Sequence, residues 1–367
     1  MSCGDLWYCE VSGVGLPTAG NLDAGARVSL RLQVLSFFVP NGQEPLDQLD
    51  RQIAVALQVN GRASWRAVGR ALGVPERTVT RRGQALLDAG LVKVSTYVDT
   101  TRVGKARPLI VVAHTEPGRS VEIGHELAKR PDASSVSVLE GTGDLVCLLL
   151  PGDERARYRL LLHDLPSLEG LRDTSVATVL RYFRSGYDWV AEGLGADALA
   201  ELQTLPRSDP ERIDAVELDA DDRLLVDELA RDGRSPVSSL AQAIGMSPSS
   251  VQRRLNRLFA EGAIHIRTEI RPHLLGLHVE VLVWMRVVPS EIDAVGRTLS
   301  AHPAVRFCAA TTGTTQILID CLCRDENELY EFVTGYLGAK PSSEVVNIGV
   351  VIAALRRGPL VVADPFM

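Results

Sequence analysis

The sequence predicts an α+β chain built as a tandem repeat, each copy a winged-type helix-turn-helix followed by a ferredoxin-like βαββαβ domain. Three observations carry this. Residues 46–94 lie on residues 218–266 without a gap, at a constant offset of 172. Each copy opens with three short segments of helical apolar spacing, punctuated by glycines. Each then alternates strand and helix segments in the order βαββαβ, the ferredoxin-like signature.

The repeat rests on identities in one register. They include Leu46/Leu218, Asp47/Asp219, Asp50/Asp222, Arg51/Arg223, Gly61/Gly233, Arg62/Arg234, Gly73/Gly245, Arg81/Arg253, Arg82/Arg254 and Gly90/Gly262, continuing to Pro131/Pro303, Gly141/Gly313 and Gly186/Gly358. Chance does not hold one register over roughly 140 residues, and a fixed period is the signature of duplication. The expected organisation is an N-terminal extension without ordered structure at 1–45, a first helix-turn-helix at 46–98 and a first ferredoxin-like domain at 99–186. A partly helical linker at 187–217 follows, then a second helix-turn-helix at 218–270, a second ferredoxin-like domain at 271–358 and a tail at 359–367.

Within the helical part, Asp50–Asn60 and Asp222–Asp232 carry apolar residues at helical spacing and stop at Gly61 and Gly233. A short second helix covers Arg66–Leu72 and Ser238–Ile244, closed by Gly73 and Gly245. The third helix starts clearly in the second copy, where Ser247 suits an N-cap and Pro248 the first helical position. Val251, Leu255, Leu258 and Phe259 form its buried face. In the first copy Pro75 replaces the Ser247 cap, and Gly83 replaces Leu255. That glycine is expected to cost roughly 1 kcal/mol of helix propensity and to leave packing unfilled. In the second ferredoxin-like domain His278–Val287, Ala304–Thr311, Gln316–Cys323 and Val345–Leu355 read as strands, with helices at Ser290–Ala301 and Glu326–Leu337. The first copy repeats this order from Pro108 to Phe183.

The chain has 367 residues, 46% of them apolar, enough for an ordinary core in each domain. Its net charge of −7, from 39 Lys and Arg against 46 Asp and Glu, excludes a histone-like polycation but not a local basic face. Six cysteines are too few for a disulfide scaffold of this size; none forms a CxxC pair, and Cys321 and Cys323 read as core strand residues. The seven histidines form no metal pair at helical spacing, and there is no P-loop, nucleophile elbow or strand-linked GxGxxG. No metal, cofactor or enzyme chemistry is therefore expected. No apolar run reaches the ~20 residues of a membrane helix, and a reduced cytoplasmic protein is the expectation.

A short helix, a glycine turn and a polar-faced third helix make a helix-turn-helix, whose third helix enters the major groove of double-stranded DNA. Arginine and Asn/Gln side chains make bidentate contacts with guanine and adenine. The candidates are Arg77, Thr78, Thr80, Arg81 and Gln84 in the first copy, and Ser249, Ser250, Gln252, Arg253, Asn256 and Arg257 in the second. Residues 46–94 hold eight basic and four acidic residues, net +4; residues 218–266 hold six and seven, net −1. Phosphate attraction thus favours the first unit, and helix chemistry the second. Arg82 and Arg254 sit beside the buried face, where an ion pair with Asp50 or Asp222 competes with a phosphate contact.

These residues resemble the leucine-responsive/asparagine regulators, the Lrp/AsnC family, in double-length form. The resemblance covers about 46–186 and 218–358, and its most specific parts are Leu218-Asp219 with Asp222-Arg223, the run Ser247 to Arg254, and the glycine turn before the third ferredoxin-like strand. It implies transcription control, with the ferredoxin-like (RAM) domains driving self-association and binding a small effector, often an amino acid. The turn implied for the effector is Gly141-Thr142-Gly143-Asp144 in the first copy; the second has Gly313-Thr314-Thr315-Gln316 and lacks the carboxylate. An amphoteric ligand is therefore expected at the first copy rather than the second. One enzyme class resembles the same architecture, the fused siroheme decarboxylases. That alternative implies His and Arg in the ferredoxin-like cleft, here His273, His278 and Arg271.

Overall fold

A computed structural model describes residues 45–103, 107–141, 143–203, 216–339, 343–358 and 360–362. The extension before residue 45, Thr142, residues 204–215 of the linker and most of the tail lie outside the described residues.

The first helical unit is α1 (Gln48–Val59), α2 (Trp65–Leu72) and α3 (Glu76–Asp88). Each first helix begins two residues before the apolar spacing indicates, because a carboxylate caps it. The Asp47 side chain accepts from the Asp50 amide, and Asp219 accepts from that of Asp222. In the second unit Asp222 returns a bond to the Asp219 amide, closing a capping box. Ser247 caps the third helix as expected, accepting from Ser250, whereas Pro75 makes no side-chain cap.

The packing loss expected at Gly83 does not occur. A methyl carbon built there would lie 2.4 Å from the Trp65 ring. The position equivalent to Trp65 is Val237, so the two copies fill one space with Trp and Gly or with Val and Leu. Gly83→Leu alone should therefore cost about 1–3 kcal/mol by overpacking. Adding Trp65→Val should recover most of it, and melting temperatures of the single and double variants measure this. No recovery in the double variant would show that the pair is not coupled.

A ribbon joins the two units. Strands β1 (Val92–Val98) and β6 (Ile264–Ile270) pair antiparallel, with Ser95 opposite Arg267. Those two residues are equivalents at the repeat offset, so the ribbon lies on a pseudo-two-fold axis. Arginines repeat the exchange: Arg62 donates to the Gly233 and Ser235 carbonyls, and Arg234 to those of Gly61 and Ala63. The Arg234 guanidinium also lies 4.5 Å over the Trp65 ring.

The ferredoxin-like halves share one sheet. The first contributes β2 (Leu109–Thr115), β3 (Ala133–Glu140), β4 (Leu145–Leu149) and β5 (Leu171–Arg184). The second contributes β7 (Val279–Val287), β8 (Val305–Thr311), β9 (Ile317–Cys323) and β10 (Ser343–Arg357). Each half has the ferredoxin-like strand order, and each long last strand crosses over. β5 pairs with β2 up to Thr178 and with β8 from Val179; β10 pairs with β7 up to Val350 and with β3 from there on. The eight strands thus close into a ring with no free edge between the halves. Its interior is a mixed core holding Ile110, Leu139 and Val146 with Leu282, Ala309 and Leu318. Helices cover the outer face of each half over separate cores, and Cys321 and Cys323 are buried in the second. The linker is partly helical at Ala196–Leu202 and packs on the first helical unit, where Leu202 and Trp189 join the core. Among the described residues no helix is long and apolar enough to cross a membrane.

Candidate nucleic-acid interface

The third helices are α3 and its equivalent Pro248–Ala260. In the first unit Arg77, Arg81 and Gln84 are exposed, and Thr78 and Thr80 half-buried. Thr80 bonds back to the Glu76 carbonyl, and Gln84 to Asp88 one turn on. In the second unit Ser249, Gln252, Arg253 and Asn256 are exposed and Ser250 is half-buried. The Gln252 amide donates to Asn256 at 2.8 Å, which sets the two side chains as one polar plate.

Ion pairs sort the arginines. Arg82 is held by Asp47 and Asp50, and Arg254 by Asp219, Asp221 and Asp222. These pairs draw both arginines into the domain. Their carboxylate partners at the cap, Asp47 and Asp219, are held below the usual carboxylate range. For Asp47 the Asp50 amide bond leads and Arg82 follows; for Asp219 the Arg254 bond leads. Arg257 was a candidate base reader, but it is turned back as well. It pairs with fully buried Asp222 and, at 3.1 Å, with Glu261. The physical reason is that a fully buried carboxylate is costly unless well paired, and Arg257 adds a second cation to the one that Arg254 supplies. Among the described residues Arg77, Arg81 and Arg253 make no ion pair, so their guanidinium groups face solvent uncommitted. Sequence reading did not find the reciprocal Arg62 and Arg234 contacts, although their identity at the repeat offset was the available signal.

The glycine turn named as a candidate effector site has a structural duty in both halves. Gly141 and Gly143 have φ of 114° and 90°, and Gly313 has 108°, backbone that side-chain-bearing residues rarely adopt. Asp144 accepts from the Thr115 amide at 2.6 Å, and Gln316 from the Val287 amide at 3.1 Å. Thr115 and Val287 are equivalents, so carboxylate and amide tie the same strand end. This explains how Gln316 can replace the acid without loss of the turn. Thr314 and Thr315 complete the second turn, with Thr315 accepting from the Thr311 hydroxyl. Beside Asp144 lies an open cleft of ≈ 680 Å³ that includes His114, Ser120, Arg172 and Asp173.

The histidines named for the alternative are brought together with arginines. His273 is held below its ordinary range by burial first, then by Arg271, His278 and Arg357. Among the described residues its buried Nε2 has no hydrogen-bond partner.

Comparison with known proteins places the chain. The AsnC-type helix-turn-helix domain matches residues 46–87 and 218–258, and the Lrp/AsnC ligand binding domain matches residues 280–361. An uncharacterized HTH-type transcriptional regulator of Pyrococcus abyssi is 27% identical over 143 residues, 39% of this chain and 90% of that protein. The HTH-type transcriptional regulator FL11 of Pyrococcus horikoshii is 27% identical over 129 residues, 34% of this chain and 85% of its own length. Among solved structures, the siroheme decarboxylase NirDL aligns with a TM-score of 0.54 at 13% identity, covering 87% of this chain and 96% of that one; at this identity the likeness is one of fold. The regulators are one repeat long where this chain has two, and it carries the helix-turn-helix domain of the Lrp/AsnC family of transcription regulators twice and the family's ligand binding domain over residues 280–361.

Proposed function

We propose that the chain binds double-stranded DNA as a built-in dimer, reading two half-sites with its two third helices. The carrying observation is the pseudo-two-fold ribbon: Ser95 opposite Arg267 relates the two helical units as a homodimer axis would. Arg77 and Arg81 in the first unit and Arg253 in the second are the uncommitted cations. Gln84, Thr78 and Thr80, and Ser249, Ser250, Gln252 and Asn256, supply the neutral donors and acceptors. Two free arginines against one put the larger electrostatic share on the first unit. The halves differ, so the preferred operator is an imperfect inverted repeat. DNase footprinting tests this. The expected pattern is two protected stretches one helical turn apart, about 10 bp centre to centre. A single unpaired stretch would sink the built-in dimer. Such a protein acts where DNA lies, here the cytoplasm.

The ferredoxin-like pair supports effector sensing in the same reading. The cleft beside Asp144 offers a carboxylate together with Arg172, which suits a small amphoteric ligand; further self-association would use the outer helices of the pair. A second reading, tetrapyrrole decarboxylation, is favoured by one observation, the gathering of His273 with Arg271 and His278. Visible absorbance decides it: a bound tetrapyrrole gives an intense band with the purified chain, and DNA binding alone gives none.

A further inference from the structure

We infer a second small-molecule site inside the closed sheet, separate from the turn cleft and present once per chain. It is a cavity of ≈ 90 Å³ between the halves, with Arg267, Arg306, Arg357, Glu280 and Asp320 in its lining and Ser137 in its wall. Its floor is apolar, from Ile110, Leu282 and Leu318 of the shared core.

Three features mark it as built for a ligand. First, the charges belong to one half only. At the repeat offset Arg267, Glu280, Arg306, Asp320 and Arg357 correspond to Ser95, Pro108, Ser134, Leu148 and Ser185. The fold closes without these charges in one copy, so closure does not require them in the other. Taking charged groups out of water is costly unless each is well paired.

Second, the pairing is incomplete. Arg357 is spread over Glu280, donating to Oε1 at 2.9 Å, and Arg306 spans Glu280 and Asp320. Asp320 is 7% exposed, yet among the described residues its Oδ1 has no hydrogen-bond partner. Buried polar atoms are almost always bonded, so this one calls for a donor. Arg267 is paired with Glu269, but among the described residues its terminal nitrogens take part in no hydrogen bond.

Third, among the described residues no carboxylate reaches the outer nitrogens of Arg267. Arg306 and Arg357 are matched by Glu280 and Asp320, and Glu269 meets Arg267 at Nε. Arg356, next along the strand, turns away to the carbonyls of Ala128, Arg130 and Gly358. Burial first, then Arg306 and Arg357, push the Arg267 guanidinium down to about 10, against the opposing effect of Tyr97 and Asp320. An anion beside it would relieve that.

The matching ligand is a small carboxylate with a hydrogen-bond donor on the adjacent carbon, a 2-amino or 2-hydroxy acid of the smallest size. Its carboxylate meets the arginines and its donor meets Asp320 Oδ1. The volume limits it to a few heavy atoms; one ordered water needs about 10–15 Å³ of such space. Ser135, Ser137 and Gly186 line the cavity and are partly exposed.

Calorimetric titration of the full chain with glycine, glycolate and acetate tests this. Glycine or glycolate should bind once per chain, and acetate about tenfold more weakly, since it lacks the donor that a charged acceptor rewards. Asp320→Asn should bring the donor-bearing ligand down to the level of acetate. Ser137→Leu, which fills the wall, should remove binding with the melting temperature unchanged. Asp144→Ala should leave this binding intact. Loss of binding in Asp144→Ala would assign the ligand to the turn cleft and overturn the inference. No heat from glycine or glycolate at millimolar concentration, or binding indifferent to both Asp320→Asn and Ser137→Leu, would overturn it as well. None of these outcomes touches DNA binding, which footprinting reads separately.

Discussion

Replacing Arg81 and Arg253 together by alanine is expected to abolish specific DNA binding and leave the fold intact. Both side chains are exposed, and among the described residues neither forms an ion pair that a truncation would break. Each lost bidentate base contact costs roughly 1–3 kcal/mol. Two such losses weaken operator binding between about 30-fold and about 10⁴-fold. Circular dichroism and melting temperature should match the parent chain, while a gel-shift titration shows the loss. Unchanged operator affinity would remove the third helices from the interface. The comparison with Arg257→Ala sharpens the test. That change should lower the stability of the second helical unit, because it leaves Asp222 with one cation fewer.

The largest expected effect on stability comes from Asp222→Ala. Asp222 is fully buried, bonds Arg254 at 2.8 Å, pairs with Arg257 and completes the capping box on Asp219. Removing one member of a buried ion pair costs about 3–5 kcal/mol, since the partners stay behind uncompensated. The equivalent Asp50→Ala should cost far less, about 1 kcal/mol. Asp50 is a quarter exposed and meets only Arg82, and exposed pairs contribute little. Denaturant unfolding of the two variants separates the cases. Similar small losses for both would mean that the buried network does not hold the second unit.

The duplication, the helix order and the strand order were all legible in the sequence, because each depends on local periodicity and on identities at one offset. The exposed polar faces of the third helices were legible for the same reason. Gly73, Gly245 and Ser247 fix where helices stop and start, and no distant residue is needed to place them. Other features were not legible. The empty space expected at Gly83 is filled by Trp65, which lies on another helix. The ion pair that Arg257 makes with Asp222, thirty-five positions earlier in the chain, was not visible either. The Asp144 and Gln316 turn looked like a difference in ligand chemistry, and in the structure both side chains tie the same strand end.

By itself the sequence determined that this protein is two copies of a helix-turn-helix joined to a ferredoxin-like domain, in the Lrp/AsnC pattern. Periodicity and capping act over a few residues, so one chain suffices to read them. Only the tertiary structure decided how the copies meet. β5 and β10 each leave their own half midway and finish on the other, and β1 pairs with β6 across the pseudo-axis. Backbone hydrogen bonds make those pairings, and backbone groups are the same in every residue, so no side-chain pattern announces the partner. The charged cavity has the same origin. Glu280, Arg306 and Asp320 lie on neighbouring strands of one half, and the crossover of β10 and the β1–β6 ribbon bring Arg357 and Arg267 to them from up to ninety positions away.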